Sequence, residues 1–231
     1  MGLDDVLTRA IAHLDPAPAS PSLASPVAFA VTHSRGQFQR YRHIEVMERA
    51  ILETIERGGR LIISASVRHG KSELVSKWLP AWFIGTNPDK RVILAGHEAD
   101  FAARWGRAAR DILTEHGHEF GVQVSRRSTS MSRWDIAGRS GGMLTVGVGG
   151  SPIGWGADLM VIDDPIKSYA DAMSPLVRQR VADWWSGTMA SRVEPGGAVI
   201  LVMARWHMDD LAGRLLAEAV GAEHMSPYGV N

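Results

Sequence analysis

The sequence contains no cysteine among its 231 residues. Disulfides and metal sites built on thiolates are therefore excluded, and an intracellular setting is compatible with this composition. Long apolar runs are also missing, because stretches such as Ala198–Ala204 fall well short of the roughly 18–20 residues that a membrane-spanning helix needs. We therefore expect a globular protein that makes no contact with a membrane.

An excess of positive charge is absent too, because Lys plus Arg and Asp plus Glu each number 25. Proteins that bind DNA through their overall charge are usually basic. Any contact with nucleic acid must therefore involve a local patch or an assembly of several subunits. The candidate patch lies near Trp134 and contains four arginines, namely Arg126, Arg127, Arg133 and Arg139. The alternative is an exposed hairpin that happens to be basic.

The N-terminal residues differ in composition from the rest of the chain. The stretch Pro16–Pro26 is rich in Pro, Ala and Ser and is typical of a flexible linker. We therefore predict an N-terminal segment and linker over residues 1–26 and one domain over residues 27–231. The length of the second part suits a single large α/β domain.

Strands and helices alternate through the predicted domain. Short apolar runs predict strands, and apolar residues at intervals of three and four predict helices. The predicted strands are Arg60–Ser64, Arg91–Ala95, Asp158–Ile162 and Ala198–Met203, and the predicted helices span residues 42–57, 71–79, 100–115, 176–189 and 208–218. Pro80 should end or kink the second helix.

The fold predicted from this order is an α/β fold with a mostly parallel central sheet and helices on both of its faces. Residues 120–150 differ, since short extended runs such as Arg133–Ile136 and Met143–Val146 alternate there with Ser-, Arg- and Gly-rich turns. We predict that this stretch forms β-hairpins inserted at the edge of the sheet.

A glycine-containing loop follows the first predicted strand. Residues 65–72 match the phosphate-binding pattern G-x-x-x-x-G-K-[ST] at every fixed position but the first, where Ala65 replaces Gly. Gly70 lets backbone N–H groups approach phosphate oxygens, Lys71 would reach the β- and γ-phosphates, and the Ser72 hydroxyl would hold Mg²⁺. The alternative is a chance Gly-Lys-Ser string. The expected nucleotide contacts are Ala65, Ser66, Val67, Arg68, His69, Gly70, Lys71 and Ser72.

Two adjacent acids, Asp163 and Asp164, follow the third predicted strand. Ligands of open parallel sheets bind at the carboxyl ends of the strands, so these acids can approach the phosphate loop. Asp163 would serve the Mg²⁺ coordination shell through water, and Asp164 would orient or deprotonate the attacking water. Adjacent carboxylates repel each other unless a cation lies between them, which favours a metal. The alternative is a solvated Asp-Asp-Pro turn.

Phosphoryl transfer also needs an arginine near the γ-phosphate, supplied by the same chain or by a neighbouring subunit. Arg68 within the loop is the first candidate for a catalytic role in cis. The alternatives are a solvated loop residue or a salt bridge to Glu73.

The nine histidines do not form a recognisable zinc pattern. There is no H-E-x-x-H string, and His116-Gly117-His118 lacks obvious acids at metal-ligand spacing. We therefore expect no metal site built from histidine.

Four segments together resemble the large terminase subunit of tailed phages, the ATPase of the DNA-packaging motor. They are Tyr41-Arg42-His43, Arg68–Leu74, Gly149–Pro165 and Ala204–Leu211, and the resemblance covers roughly residues 36–218. It implies a P-loop NTPase of the additional-strand type, in which the strand before Ala204 lies between the strands that carry the phosphate loop and the paired acids.

The resemblance implies ATP hydrolysis that drives double-stranded DNA into a procapsid, with ATP as substrate and Mg²⁺ as cofactor. It implies a ring of subunits in the host cytoplasm, with a portal protein and a small terminase subunit as partners. Relatives also carry a C-terminal nuclease domain, and too few residues follow Glu218 for one, so we expect no nuclease activity here. The alternatives are an inactive prophage scaffold that binds nucleotide, or another P-loop motor acting on nucleic acid.

The resemblance also assigns roles to individual residues. Lys71 and Ser72 would contact phosphate and Mg²⁺, Asp163 would serve the metal, and Asp164 would be the catalytic carboxylate. Gln37, Tyr41 and His43 fall where relatives contact the adenine, and the coupling motif contains Ala204, Arg205, His207 and Asp210. We expect Arg205 to couple and His207 to pair with Asp210, the alternative being a capped helix start.

Three residues depart from the pattern of these relatives. Asp164 stands where many of them have Glu, Ala204 where many have Thr or Ser, and Trp155 where many have Arg. The first shortens the catalytic side chain by one methylene. Because of Ala204, the residue that senses the γ-phosphate is not identified. Because of Trp155, one arginine expected from the relatives is missing.

Overall fold

The fold is described by a computed structural model that covers residues 21–66, 69–127 and 130–220. Within these residues, six strands form one sheet: β1 Arg60–Ser64, β2 Arg91–Gly96, β3 Arg133–Asp135, β4 Gly142–Gly147, β5 Ala157–Asp163 and β6 Val193–Met203. The described α-helices are α1 Pro26–His33, α2 Arg42–Arg57, α3 Leu79–Thr86, α4 Ala99–His116, α5 Tyr169–Met173, α6 Pro175–Trp184 and α7 Leu211–Val220.

The strand order across the sheet is β1-β6-β5-β2-β4-β3. Every neighbouring pair is parallel except β3 and β4, which form an antiparallel hairpin at one edge. Strand β6 therefore lies between β1, which precedes the phosphate loop, and β5, which ends in the paired acids. The additional-strand order expected from the resemblance is confirmed.

The sheet is covered on both faces, as predicted. Successive side chains of a strand point to opposite faces, and β5 is buried along nearly its whole length. Leu159 and Val161 belong to an apolar core shared with α1, α2, α3 and α4, whereas Met160 and Ile162 belong to a second core shared with α6 and α7. No described helix is long and apolar enough to cross a membrane.

Helix α2 shows how local sequence sets the bounds of an element. Ile44, Met47 and Ile51 are buried at the spacing of one helical face. The helix ends at Gly58, whose φ of +64° belongs to the left-handed region that glycine adopts without strain. A Cβ atom at Gly58 would lie 2.6 Å from the carbonyl oxygen of Gly196, so the close approach to β6 also requires glycine.

Two predictions about the elements are only partly right. Met143–Val146 lies in β4, which does form an antiparallel hairpin with β3, but β4 also pairs in parallel with β2 as a core strand buried at almost every position. Pro80 does not end the helix after the phosphate loop. A π-helical segment, Glu73–Trp78, leads directly into α3, and the wider turn relieves the clash that the proline ring would cause in a regular helix.

The end of the predicted linker contacts the folded body. Pro21–Leu23 forms a 3-10 turn, and the Leu23 carbonyl accepts a hydrogen bond of 2.8 Å from the Trp82 indole N–H. Residues 1–20 of the predicted N-terminal segment lie outside the described residues. The division of the chain at residue 26 stays a prediction.

The first turn of α1 depends on a buried acid from α2. Ser25 accepts the N–H of Ala28, and Glu48 Oε1 accepts the N–H of Val27 at 2.8 Å. Pro26 has no N–H, so these two contacts satisfy donors that the start of a helix leaves unpaired. Glu48 is only 9% exposed and links the two helices.

We expect Glu48→Ala to lower the free energy of unfolding by about 1–3 kcal/mol, because the buried N–H of Val27 loses its acceptor. Glu48→Gln keeps an acceptor oxygen and should lose less. The measurement is urea unfolding, with Glu53→Ala at an exposed position of the same helix as the control. Equal midpoints for Glu48→Ala and Glu53→Ala would contradict this account.

Candidate nucleotide and metal site

The carboxyl ends of β1, β6 and β5 meet at one edge of the sheet. Ser64 pairs with Met203, and Val202 pairs with Asp163, so the three strands end at nearly the same level. The phosphate loop leaves β1 there, and the paired acids and Ala204 follow β5 and β6. The topology therefore brings together segments that are about 40 to 90 residues apart in the sequence.

Lys71 is buried between the loop and the acids, with 4% of its surface exposed. Its Nζ donates to the carbonyl oxygen of Ala65 at 3.3 Å and to Asp164 Oδ1 at 3.4 Å. Gly70 precedes it with a φ of +73°, a conformation that suits the tight turn of a phosphate loop. Val67 and Arg68 lie outside the described residues, so the predicted role of Arg68 stays a prediction.

The Asp163 carboxylate is completely buried and accepts two hydroxyl hydrogen bonds. Ser72 Oγ donates to Oδ1 at 3.0 Å, and Ser76 Oγ donates to Oδ2 at 2.7 Å. Ser76 was not predicted as a site residue, although its spacing of four from Ser72 on a helix could have indicated it. Burial raises the pKa of Asp163 from 3.8 to about 6, and the neighbouring Asp164 adds to this effect.

Asp164, which follows Asp163, adopts an unusual backbone conformation. Its φ is +43°, which is uncommon for any residue other than glycine. Its N–H donates to the Val202 carbonyl at 2.8 Å, and its own carbonyl accepts a contact from His97 Nδ1 at 3.3 Å. Its carboxylate accepts the N–H of Ala204 at 3.0 Å in addition to Lys71.

The oxygen atoms at this edge suit a hard divalent cation such as Mg²⁺. Ser72 Oγ and Asp163 Oδ1 are 3.0 Å apart. Neighbouring ligands of an octahedral Mg²⁺, with bonds of about 2.0–2.1 Å, are separated by about 2.9–3.0 Å. A cation would also compensate the cost of burying the Asp163 charge. Ser72 and Asp163 therefore fit a Mg²⁺ ion.

An aromatic pair lies beside the phosphate loop. The rings of Tyr41 and His43 stack nearly parallel, at an angle of 8° and a centroid distance of 5.8 Å. His43 Nε2 contacts the carbonyl oxygen of His69 at 3.1 Å, which connects the pair to the loop. Tyr41 is 54% exposed, so one side of the stack is open to a ligand. Gln37 is exposed in the turn that precedes Phe38.

The expected pairing of His207 with Asp210 is wrong. Asp210 forms an ion pair with Arg205 at 2.7 Å and accepts the N–H of Gly213, so it caps α7. His207 Nδ1 instead accepts the N–H of Asp209 at 3.0 Å. The charged guanidinium and the helix start are stronger partners for the buried Asp210 than a neutral imidazole. This arrangement is the capped helix start given above as the alternative. Of the four residues of the predicted coupling motif, only Ala204 contacts one of the paired acids, Asp164.

The basic patch near Trp134 does not present an aromatic ring to solvent. Trp134 is fully buried, and its indole N–H donates to the Gly106 carbonyl at 3.0 Å. Arg133 lies over the Trp155 ring at 4.5 Å and Arg139 pairs with Asp89 at 3.4 Å. Base stacking on Trp134 is therefore excluded in this conformation.

We expect Asp163→Asn to stabilise the metal-free protein near neutral pH. A raised pKa means that the folded state binds the proton more tightly than the unfolded chain. The stabilisation that the protonated Asp163 carboxyl contributes to the folded state is therefore complete below pH 3.8, the ordinary pKa of Asp. It is lost as the pH rises through about 6, the pKa of Asp163 in the folded state. Relative to wild type, the free energy of unfolding of Asp163→Asn should be higher by on the order of 2–3 kcal/mol at about pH 7.5 and should change little at about pH 4.

The measurement is urea unfolding in EDTA at both pH values. Asp111→Asn, at an exposed position of α4, is the matched control and should behave like wild type. A variant less stable than wild type at neutral pH would show that the hydroxyl contacts outweigh the burial cost.

Two solved structures resemble this chain, and the first of them supports the fold. The large terminase of bacteriophage HK97 superposes with a TM-score of 0.56 at 12% identity, covering 87% of this chain and 41% of the HK97 chain. The large terminase of a thermophilic bacteriophage, solved in complex with ADP, gives a TM-score of 0.36 at 13% identity over 64% of this chain and 33% of that one. This chain thus spans less than half the length of either protein.

Sequence comparison identifies the family. No curated protein matches the sequence. The profile described as terminase large subunit, T4likevirus-type, N-terminal matches residues 62–226, which is well over half of the chain and includes Lys71, Asp163 and Ala204. The chain therefore belongs to the terminase large subunit family and corresponds to the N-terminal part of its T4likevirus type.

Proposed function

We propose that this chain is the ATP-hydrolysing motor domain of a terminase that packages double-stranded DNA. One observation supports this most directly. Lys71, Ser72, Asp163 and Asp164 converge at the carboxyl edge of the sheet, although the lysine and its acidic partner are 93 residues apart in sequence. A phosphate-binding lysine, two metal-type oxygens and a second carboxylate are the groups that ATP hydrolysis requires.

The proposed nucleotide position follows from the loop. The β- and γ-phosphates would lie against Gly70 and the start of the following helix, where backbone N–H groups and the helix dipole favour anions. Lys71 would exchange its contacts with Ala65 and Asp164 for phosphate oxygens. Bound Mg²⁺ would neutralise phosphate charge, held by Ser72 and, directly or through water, by Asp163.

Asp164 is the proposed catalytic carboxylate. The Ala204 N–H fixes one of its oxygens, which leaves the other free to accept a hydrogen bond from the attacking water. The Asp164 side chain is one methylene shorter than Glu, so the water must lie correspondingly closer to the end of β5. Its carboxylate is partly exposed, at 31%, so water can reach it.

Tyr41 and His43 are the proposed base-binding residues. Their stacked rings lie next to His69 of the loop, so an adenine on the exposed side would be within reach of phosphates bound at Gly70. A flat apolar base face suits an aromatic stack. The position of Gln37, in an exposed turn that precedes α2, is compatible with a polar contact to the base but adds no direct support.

The wider biological role rests on the family. We propose that several copies form a ring on the portal protein of a procapsid, that a small terminase subunit delivers the DNA, and that assembly takes place in the host cytoplasm. Arg68, or an arginine of a neighbouring subunit, would complete the site. The neutral composition agrees with DNA contacts that form only in an assembly.

A second candidate is a nucleotide-binding scaffold that does not turn over. Ala65 and Ala204 stand where relatives have Gly and Thr or Ser, and both lie at the proposed site. The backbone groups at these two positions nevertheless make the contacts described above, to Lys71 and Asp164. We therefore favour an active ATPase.

The test is Mg²⁺-dependent ATP hydrolysis with and without double-stranded DNA. We expect Lys71→Ala and Asp164→Asn each to lower kcat by at least about 100-fold, because one removes phosphate charge stabilisation and the other the carboxylate that orients water. Lys77→Ala on the same helical segment and Asp111→Asn should retain activity.

Three outcomes distinguish the candidates. Hydrolysis that both site variants abolish, and that DNA stimulates, supports the packaging motor. Tight binding of ATP without turnover in the wild-type protein supports the scaffold. Absence of ATP binding in the presence of Mg²⁺ contradicts both.

A further inference from the structure

Three potential metal ligands meet on the side of the domain formed by α1 and α4. His33 is the last residue of α1, His116 is the last residue of α4, and Glu119 lies in the 3-10 turn that follows, Gly117–Phe120. One nitrogen of each imidazole and one carboxylate oxygen all lie within 4.8 Å of one another. The proposed nucleotide site uses none of these three residues.

The distances within this cluster fit a small divalent ion. His33 Nε2 lies 3.3 Å from Glu119 Oε1, and His116 Nδ1 lies 3.5 Å from the same oxygen. Zinc bonds to imidazole nitrogen and carboxylate oxygen are about 2.0–2.2 Å, so tetrahedral ligands are separated by about 3.3–3.6 Å.

The cluster contains a buried nitrogen without a well-directed hydrogen bond. Among the described residues, His33 Nε2 is buried and has no well-directed hydrogen-bond partner, although Glu119 is near. A buried polar atom without a partner is costly, and such atoms often mark a ligand. An ion between His33 and Glu119 would bind the lone pair of His33 Nε2.

The surroundings resemble the outer shell of a metal site. His116 Nε2, the nitrogen that would not bind the ion, lies 3.7 Å from Glu115 Oε1, and Arg35 holds that carboxylate at 3.2 Å. Histidines that bind metals commonly face a carboxylate with their second nitrogen. Phe29 packs edge-on against both imidazole rings and excludes water from one side.

We propose that His33, His116 and Glu119 bind one zinc-class divalent ion, with water at the fourth position. Two imidazoles and one carboxylate suit zinc, whereas Mg²⁺ prefers oxygen ligands alone. The ion would join the end of α1 to the end of α4 and so hold the segment that leads into Tyr41. This proposal does not depend on ATP hydrolysis.

This conclusion differs from the expectation that histidine forms no metal site. That expectation considered His116 together with His118, which is exposed and points elsewhere. The partners of His116 are Glu119, three residues away, and His33, which is distant in sequence. A pattern of neighbouring residues in the sequence does not reveal a ligand that another helix contributes.

The test is a calorimetric titration of the EDTA-stripped full chain with Zn²⁺, with ADP and Mg²⁺ present to saturate the nucleotide site. We expect one high-affinity Zn²⁺ per chain and a rise in Tm on binding. His33→Gln and Glu119→Gln should each weaken Zn²⁺ binding by at least about tenfold and remove most of the Tm rise. His118→Gln, the neighbouring exposed histidine, should bind like wild type.

Either of the following observations on Zn²⁺ binding would overturn the proposal. One is the absence of Zn²⁺ binding to the wild-type protein at submillimolar concentration. The other is an affinity that is unchanged in His33→Gln and Glu119→Gln, or reduced equally in His118→Gln. Circular dichroism of each variant in EDTA establishes that it is folded, and Glu119→Gln, the more conservative change, decides the case if His33→Gln is not.

Discussion

The buried carboxylate of Asp163 constrains the geometry of the whole carboxyl edge. A charge removed from water is tolerated only where polar groups or a cation face it. Ser72 and Ser76, one helical turn apart, donate to its two oxygens. These contacts hold the helical segment after the phosphate loop against the end of β5, although β6 lies between β5 and the strand from which the loop leaves. Buried hydrogen bonds therefore fix the position of Lys71 relative to the acids.

The neighbouring acid adopts an unusual backbone conformation. In a continued extended strand the Asp164 side chain would point to the opposite face of the sheet from Asp163, but Asp164 has a positive φ and its side chain contacts Lys71 and Ala204 at the carboxyl edge. Such a conformation costs on the order of 1 kcal/mol or more, and the hydrogen bond from its N–H to Val202 helps to maintain it. The result is two carboxylates with different surroundings, one buried and one open to water. In the proposed ATPase this difference separates the metal ligand from the residue that orients water.

The sequence was most informative where the pattern is local. The α2 helix, the four main core strands and the paired acids follow from periodicity and from strand ends, and the structure confirms these elements. The role of β4 was missed because its pairing with β2 depends on a partner about 50 residues away. His33 was missed for the same reason, and Ser76 was missed although its spacing of four from Ser72 is visible in the sequence. The pairing of Asp210 was wrong because Arg205, a stronger partner, competes for it.

The contact between Ala204 and Asp164 bears on how hydrolysis could drive motion in the proposed motor. The donor is a backbone N–H, which any residue except proline supplies, so the loss of a Thr or Ser hydroxyl at this position leaves the contact intact. Beyond Ala204, the segment to α7 is fixed by the Arg205–Asp210 pair, and Asp209 joins it to the buried Arg178 of α6. In the proposed motor, a shift of the Asp164 carboxylate would therefore reach, through Ala204, a segment that ion pairs hold against α6 and α7. The alanine at this position therefore lacks a hydroxyl side chain but keeps the backbone contact to Asp164.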